Sequence, residues 1–172
     1  MAFHWLTAVL VLVAFTLGPG GSEARVYSAA KDFDRNLHEV LGLSVFFLTL
    51  ARLAWRATGP AAPEFDGPPW MVRASKAVQG LLYLLLLAVP LTAIFGAWLS
   101  GHPLTLGVLG NVASPLAESH ALGRKIASVH EYLGDAILWI AGLHAAAALF
   151  HHFVLKDEVL RAMLPFGGRR GH

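Results

Sequence analysis

The chain has 172 residues, of which 56% are hydrophobic and only 14% are charged. Ordinary soluble domains are about 45–50% apolar and about 25% charged, so this composition argues against a soluble domain, a coiled coil or a disordered chain. The sequence has no cysteine, which excludes disulfides, Cys-based metal sites and a thiol nucleophile. A net charge of +2 is too small to indicate nucleic acid binding. Nine histidines in so apolar a chain are the unusual feature.

Four apolar stretches predict membrane spans at approximately residues 3–19, 37–55, 77–99 and 129–155. A membrane helix needs about 20 mainly apolar residues. The third stretch is the clearest, because residues 78–99 hold no charge over 22 positions. Lipid offers no partner for backbone N–H and C=O groups, so the spans must be helices. Short connections then predict an all-α fold, a transmembrane up-down four-helix bundle that forms a single domain over residues 1–172.

The first stretch has a second interpretation as a secretory signal peptide. Its apolar run is short and is followed by Gly18-Pro19-Gly20-Gly21 and a small-residue site near Ala24. Against this, the residues before the apolar run include His4 but no Lys or Arg. The residues alone leave both interpretations open.

The distribution of Lys and Arg predicts the orientation of the four spans. One side holds eight of these residues and the other holds five, which favours both termini in the cytoplasm. The eight are Arg52, Arg56, Arg73, Lys76, Lys156, Arg161, Arg169 and Arg170, and the five are Arg25, Lys31, Arg35, Arg124 and Lys125.

Four histidines lie at informative depths in the predicted spans. His130 and His144 are 14 residues apart, about 40° short of four full helical turns, so both lie on one face and are separated by roughly 21 Å along the axis. His38 begins the second span level with His130, and His4 begins the first span level with His144. Two stacked pairs of imidazoles fit two haem groups better than a metal cage, since a catalytic zinc site needs three protein ligands. The competing interpretation is that these histidines lie at the water interface.

A short motif recurs at the start of the second and fourth spans. His38-Glu39-Val40-Leu41-Gly42 and His130-Glu131-Tyr132-Leu133-Gly134 share the pattern H-E-x-L-G. In both, the glycine lies on the same helix face as the histidine, where it would let a porphyrin approach the backbone. Chance recurrence, or close packing between helices, would also explain Gly42 and Gly134.

Other polar residues near the spans have two interpretations each. Arg52 occupies the position in span two that His144 occupies in span four, and it would bind a haem propionate or extend to the water interface. His151 lies seven residues after His144 and is a rival ligand. The remaining histidines at positions 102, 120 and 172 are expected in solvent.

Several segments together are similar to the bacterial cytochrome b561 family, whose members are di-haem, four-helix inner-membrane proteins. The most specific segment is the fourth span and its exit, which read HEYLG at 130–134, GLHAAAALFHH at 142–152 and KDEVLRAMLP at 156–165. Supporting matches are His4-Trp5, the second span from His38 to Arg52-Leu53-Ala54-Trp55-Arg56, and Leu81-Leu82-Tyr83. The resemblance extends over nearly the whole chain.

This resemblance implies that the first span is retained and that two haem b groups are bound between histidines. By position, the four axial ligands would be His4, His38, His130 and His144, with His144 favoured over His151. Family members often carry a further histidine in the third span, where this chain has Gln79. Position 79 is therefore not expected to be an iron ligand, and the count of two haems is unchanged.

The resemblance also implies a function in the bacterial inner membrane. The expected lipid-side partner is ubiquinone or ubiquinol, and some family members resemble superoxide oxidases, oxidoreductases that pass electrons from periplasmic superoxide through the outer and inner haems to ubiquinone. Five basic residues on the predicted outer side would attract an anion, or would be ordinary loop charges offset by acidic neighbours. His151, with Arg52 behind it, is a candidate for binding the quinone headgroup. A haem b subunit that passes quinol electrons to a periplasmic carrier, or a haem-free membrane scaffold, are the alternatives.

Overall fold

The computed structural model describes residues 2–59 and 67–164, and four long helices dominate it. They are α1 (Ala2–Leu17), α3 (Asp32–Thr58), α4 (Pro69–Leu99) and α5 (His120–Phe150). The short helices are α2 (Glu23–Val26) and α6 (Val159–Met163), and α5 continues into a π-helical turn at His151–Leu155. By length and composition, the helical segments that contain α3, α4 and α5 can cross a membrane, and α1 is a shorter apolar helix. This architecture confirms the predicted all-α transmembrane four-helix bundle.

Two of the long helices begin well before the apolar stretches that predicted them. α4 begins at Pro69 rather than near 77, and α5 begins at His120 rather than near 129. Proline suits the first position of a helix because its missing N–H would have no partner there. The added turns carry basic residues, among them Arg73 and Arg124. A charged residue does not count toward an apolar stretch, but it can still be part of a helix. Pro90 lies inside α4, where membrane helices tolerate proline.

The long helices pack as two pairs. α1 packs mainly against α3, and α4 mainly against α5, while α3 and α4 make the lesser contact between the pairs. Glycines bring α4 and α5 close together at one end. A Cβ at Gly96 would lie 3.3 Å from the backbone nitrogen of Ala127, and one at Gly123 would lie 2.9 Å from that of Ser100.

The bundle has a thin hydrophobic core. In the part of the chain that the structure describes, the buried hydrophobic core consists of six residues: Ala14, Val45, Leu85, Leu104, Ile137 and Ala148. Many large apolar side chains on the long helices are exposed instead, including Trp139 at 77% and Leu143 at 69%. Side chains of this kind are stable against lipid, so the exposed surface supports a membrane location. The sparse interior leaves space between the two helix pairs.

Two connectors cover one end of the bundle, which is called the outer end after its predicted position. The first, residues 18–31, contains α2 and a 3₁₀ turn at Ala29–Lys31. The second, residues 100–119, contains a small hairpin of β1 (Leu104–Thr105) and β2 (Asn111–Val112), paired antiparallel with Leu104 opposite Val112. The opposite, inner end holds the π-helical turn and α6. Residues 60–66 and the tail from residue 165, which includes Arg169, Arg170 and His172, lie outside the described residues.

We predict that Gly123→Ala destabilises the bundle by about 1–3 kcal/mol, because the added methyl group would overlap Ser100 and force α4 and α5 apart. Thermal unfolding in detergent measures the effect. Gly80→Ala is the matched control, since a Cβ at Gly80 meets no atom within 4 Å. An unfolding temperature for Gly123→Ala equal to or above that of Gly80→Ala would contradict the packing described above.

Candidate functional site

The structure brings His38 and His130 together between the two helix pairs. Their ring centres are 5.9 Å apart and their planes are inclined at 87°. His38 comes from α3 and His130 from α5, so each pair of helices contributes one ring. A metal ion bound to two opposed imidazoles, with metal–nitrogen bonds of about 2 Å, needs roughly 6 Å between ring centres. The observed separation fits one such ion.

Each of these two rings is anchored by a backbone carbonyl of its own helix pair. His38 Nδ1 lies 2.7 Å from the oxygen of Ala14 in α1, and His130 Nδ1 lies 2.9 Å from that of Val89 in α4. A carbonyl only accepts, so Nδ1 must carry the proton and donate it. The Nε2 atom of each ring then keeps its lone pair. Metal-binding histidines are commonly held by this kind of bond, which fixes both the tautomer and the ring orientation.

The carbonyl that anchors His38 is available because α1 ends close to it. Ala14 is among the last four residues of α1, whose carbonyls lack a regular intrahelical partner. The N–H of Gly18 bonds to Phe15 instead, at 3.2 Å. The roles of Ala14 and Val89 were not predictable from the sequence, because every type of residue has a backbone carbonyl.

A second pair of rings lies nearer the inner end. His4 of α1 and His144 of α5 have ring centres 6.5 Å apart and planes at 75°. Both rings are half-buried. In the described part of the chain, no group of three or more His, Asp or Glu side chains could hold a metal ion. The potential metal ligands therefore occur as two pairs rather than as a cage.

Gly42 and Gly134 face open space. A Cβ at either position meets no atom within 4 Å, in contrast to Gly96 and Gly123, which sit against the neighbouring helix. Close packing between helices therefore does not account for Gly42 and Gly134. The space beside them suits a flat group that lies near the helix backbone.

Arg52 lies beside Tyr83 of α4, where Arg56 also approaches. The guanidinium carbons of the two arginines are 5.5 Å and 5.8 Å from the centre of the Tyr83 ring. Arg52 is half-buried and close enough to His4 for its charge to act on that ring. The hydroxyl of Tyr83 is buried and has no hydrogen-bond partner among the described residues. A buried O–H without a partner is costly, so this hydroxyl is a potential donor to a bound group.

His151 does not join either pair. It lies in the π-helical turn, and its Nδ1 is 2.5 Å from Oδ2 of Asp157. The ring opposite His4 is that of His144. His151 and Asp157 thus form a carboxylate–imidazole pair at the inner end, next to the position where the helix ends at Lys156 with φ of 56°.

The expectation that His102 is in solvent is wrong. Its ring stacks on Tyr27 with centres 3.3 Å apart, and its Nε2 is 3.0 Å from Oε1 of Glu23. Burial first, then the carboxylate of Glu39, raises the pKa of Tyr27 to about 12 despite the opposing charge of Arg35. The phenol therefore stays neutral and joins the two outer connectors. His120 begins α5, and its side chain is 55% exposed, close to Glu23 and Glu118.

Two of the five basic residues at the outer end are paired. Lys31 contacts Asp34 at 2.9 Å, and Arg35 contacts Asp32 at 2.8 Å. No ion pair to Arg25, Arg124 or Lys125 occurs within residues 2–59 and 67–164, and all three are exposed. The positive charge that is not offset by a neighbour therefore belongs to these three.

Nearly the whole chain is similar to proteins of one known family. The family profile for prokaryotic cytochrome b561 matches residues 1–166. The chain belongs to the prokaryotic cytochrome b561 family. It is 29% identical to "Cytochrome b561 homolog 2" of Escherichia coli over 164 residues, which are 95% of this chain and 87% of that protein. It is 28% identical to "Probable superoxide oxidase CybB" of Yersinia pestis over 170 residues, or 96% and 93% of the two chains. It is 32% identical to "Cytochrome b562" of Cereibacter sphaeroides over 170 residues, or 95% and 91%.

Membership of the cytochrome b561 family makes this chain a bacterial membrane protein of electron transfer and implies haem b. The residues present fit that group on several observations: imidazoles at a suitable spacing, carbonyl anchors on Nδ1, open space beside Gly42 and Gly134, and a buried hydroxyl at Tyr83 without a partner. Paired histidines between helix pairs would hold the iron of such a group through their ring nitrogens.

We predict that Gly134→Leu lowers the haem content by filling the space beside His130, while the bundle stays folded because no protein atom is displaced. Haem per chain, measured as the pyridine haemochrome, reports the loss. Gly80→Leu adds the same side chain at a position that is equally open but lies on α4. Equal haem content in the Gly134→Leu and Gly80→Leu proteins would contradict a porphyrin beside Gly134.

Proposed function

We propose that this cytochrome b561 holds two haem b groups, one between His38 and His130 and one between His4 and His144, and carries electrons between superoxide and ubiquinone. The observation that carries the proposal is the first histidine pair: two rings 5.9 Å apart, each fixed through Nδ1 by a carbonyl of its own helix pair. A histidine that is only interfacial has no need of this anchor. The second pair, at 6.5 Å, supports a site of the same kind.

Haem with two imidazole ligands supplies one-electron chemistry without a vacant position for oxygen. The residues of this chain do the rest. The carbonyls of Ala14 and Val89 keep Nε2 unprotonated on His38 and His130. The guanidinium of Arg52 and the hydroxyl of Tyr83 are the candidate partners for a propionate of the inner haem, since guanidinium suits carboxylate. Their positive charge and hydrogen bond would favour the ionised propionate.

The outer end suits an anionic electron donor. Arg25, Arg124 and Lys125 are exposed there, and exposed positive charge raises the rate at which an anion arrives. With both termini in the cytoplasm, as the distribution of Lys and Arg predicts, this end faces the periplasm. Similarity to "Probable superoxide oxidase CybB" over 96% of the chain supports superoxide as that donor.

The inner end suits the reduction of a quinone. Two superoxide anions each lose one electron and become two molecules of oxygen, and one ubiquinone takes up both electrons with two protons to become ubiquinol. His151 is the proposed partner of the quinone headgroup. Its Nδ1 lies 2.5 Å from Oδ2 of Asp157, so a carboxylate–imidazole pair stands at the end of the bundle that the quinone would approach. We assign to this pair the delivery of protons from the aqueous phase to the quinone.

We predict that His38→Ala and His130→Ala each lose the outer haem alone, and that His4→Ala and His144→Ala each lose the inner haem alone. Pyridine haemochrome counting should give about half of the wild-type haem per chain in all four variants. His151→Ala is the control and should keep both haems, because the ring that pairs with His4 is that of His144. Loss of haem in His151→Ala beside a normal His144→Ala protein would reverse the choice of inner ligand.

The function itself is tested by rapid mixing of the purified protein with superoxide in the presence of a soluble ubiquinone analogue. We expect the haem absorption bands to show reduction, followed by formation of one ubiquinol for every two superoxide anions consumed. His38→Ala should abolish the coupled reaction, and His151→Ala should slow the formation of quinol more than the reduction of haem. Loss of superoxide without reduction of the quinone would contradict the proposal. It would favour instead a haem b subunit that passes quinol electrons to a periplasmic carrier.

A further inference from the structure

The two rings of each histidine pair must be held at a suitable distance from each other. Each pair joins one ring from the α1/α3 pair of helices to one ring from the α4/α5 pair. At the outer site, both rings are anchored inside their own helix pair, so these anchors do not fix the distance across the gap. Among the described residues, the main direct contact between the helix pairs is that of α3 with α4, and it is small beside the contacts within each pair. Other residues must therefore set how far apart the two rings stand.

At the outer end, Glu39 connects the two helix pairs. It follows His38 in α3, and its Oε2 accepts a hydrogen bond of 2.8 Å from the backbone N–H of Thr105 in the connector between α4 and α5. Beside it, the Thr105 hydroxyl donates to Oδ1 of Asn36 at 3.1 Å. The carboxylate of Glu39 is largely buried, with 14% of its side chain exposed, and it also lies 3.7 Å from Nε of Arg35. A charge-assisted bond in a largely buried position is stronger than one in water.

At the inner end, Trp5 makes the corresponding connection. It follows His4 in α1, and its indole N–H donates to the backbone carbonyl of Met163 at 2.8 Å. Met163 ends α6, which continues from α5 and its π-helical turn. In both helices of the first pair, the residue directly after the paired histidine thus bonds to a backbone group of a segment attached to the second pair.

We propose that Glu39 and Trp5 are positioning residues that set the separation of the two histidine rings at the outer and inner haem sites respectively. The inference rests on the proposed haem ligation. It gives the dipeptides His38-Glu39 and His4-Trp5 one shared role, with the first residue a ligand and the second a cross-link over the gap that the haem spans.

The chain offers a matched control for Glu39. Glu131 follows His130 as Glu39 follows His38, so both carboxylates have the same relation to an outer ligand in sequence. The bond that Glu131 accepts from the N–H of Gly21 is 3.3 Å long and exposed. Removing Glu131 takes away one charge next to a ligand but only a weak connection. A larger effect at Glu39 than at Glu131 therefore separates the cross-link from the charge.

The experiment compares Glu39→Ala, Glu39→Gln, Trp5→Phe and Glu131→Ala with the wild-type protein, purified with its haem. Electron paramagnetic resonance of the oxidised protein reports the angle between the two axial rings of each haem, and the His130→Ala and His144→Ala proteins assign the two signals. Transfer of haem to apomyoglobin reports how firmly each haem is held.

We expect Glu39→Ala to change the outer haem signal alone and to speed loss of the outer haem on the order of 10- to 100-fold, as removal of a group that orients a metal ligand commonly does. Glu39→Gln should stay close to wild type, because the amide oxygen still accepts from Thr105. Trp5→Phe, which keeps an aromatic side chain and removes the indole N–H, should change the inner haem alone. Glu131→Ala should change the outer signal less than Glu39→Ala does.

Three results would overturn the inference. The first is that both Glu39→Ala and Trp5→Phe keep wild-type signals and rates. The second is that either variant changes the two haems equally. The third is that Glu39→Ala and Glu131→Ala have equal effects. Trp5→Phe decides the matter even where Glu39→Ala fails to accumulate, because it keeps an aromatic side chain in place of the indole. A wild-type protein without haem would refute the proposed function itself. Normal haem binding that these substitutions do not change would refute only the present inference.

Discussion

The hydrogen bonds from His38 and His130 to backbone carbonyls are the interactions on which the rest of this structure depends. Ala14 lies at the end of a short helix, where a carbonyl is left without a regular partner, and Val89 lies beside Pro90 in α4. In both bonds Nδ1 carries and donates the proton, so Nε2 keeps the lone pair with which it would bind the iron of the proposed haem. In lipid, an imidazole without such a partner would be costly, so the same bond that orients the ring also makes its burial tolerable.

The thin core of the bundle is linked to the histidine pairs, because their rings lie between the two helix pairs. A four-helix bundle usually fills its centre with side chains. Here Gly96 and Gly123 bring α4 and α5 close together within one pair, and α1 packs against α3 in the other. Gly42 and Gly134 leave open space where side chains would otherwise meet. The folded chain thus depends on cross-links at its two ends to keep the pairs at a fixed separation.

Much of this arrangement was predictable from the sequence, since apolar length predicts the four helices and the spacing of 14 residues between His130 and His144 predicts two levels. The connections that refine it were not predictable. Ala14, Val89, Thr105 and Met163 take part through backbone atoms, which are the same in every residue. The π-helical turn that pairs His151 with Asp157 was not predictable either. A regular α-helix would place His151 on nearly the same face as His144.

One ring of each histidine pair belongs to the same unbroken helix. α5 runs from His120 to Phe150 and carries both His130 and His144, whereas their partners belong to two different helices. The distance along the bundle between the two histidine pairs is therefore fixed by the helical rise of α5. In the proposed arrangement of two haems, a change in the tilt of α1 or α3 would alter the angle between the two rings at each site. It would leave the distance between the two haems nearly constant.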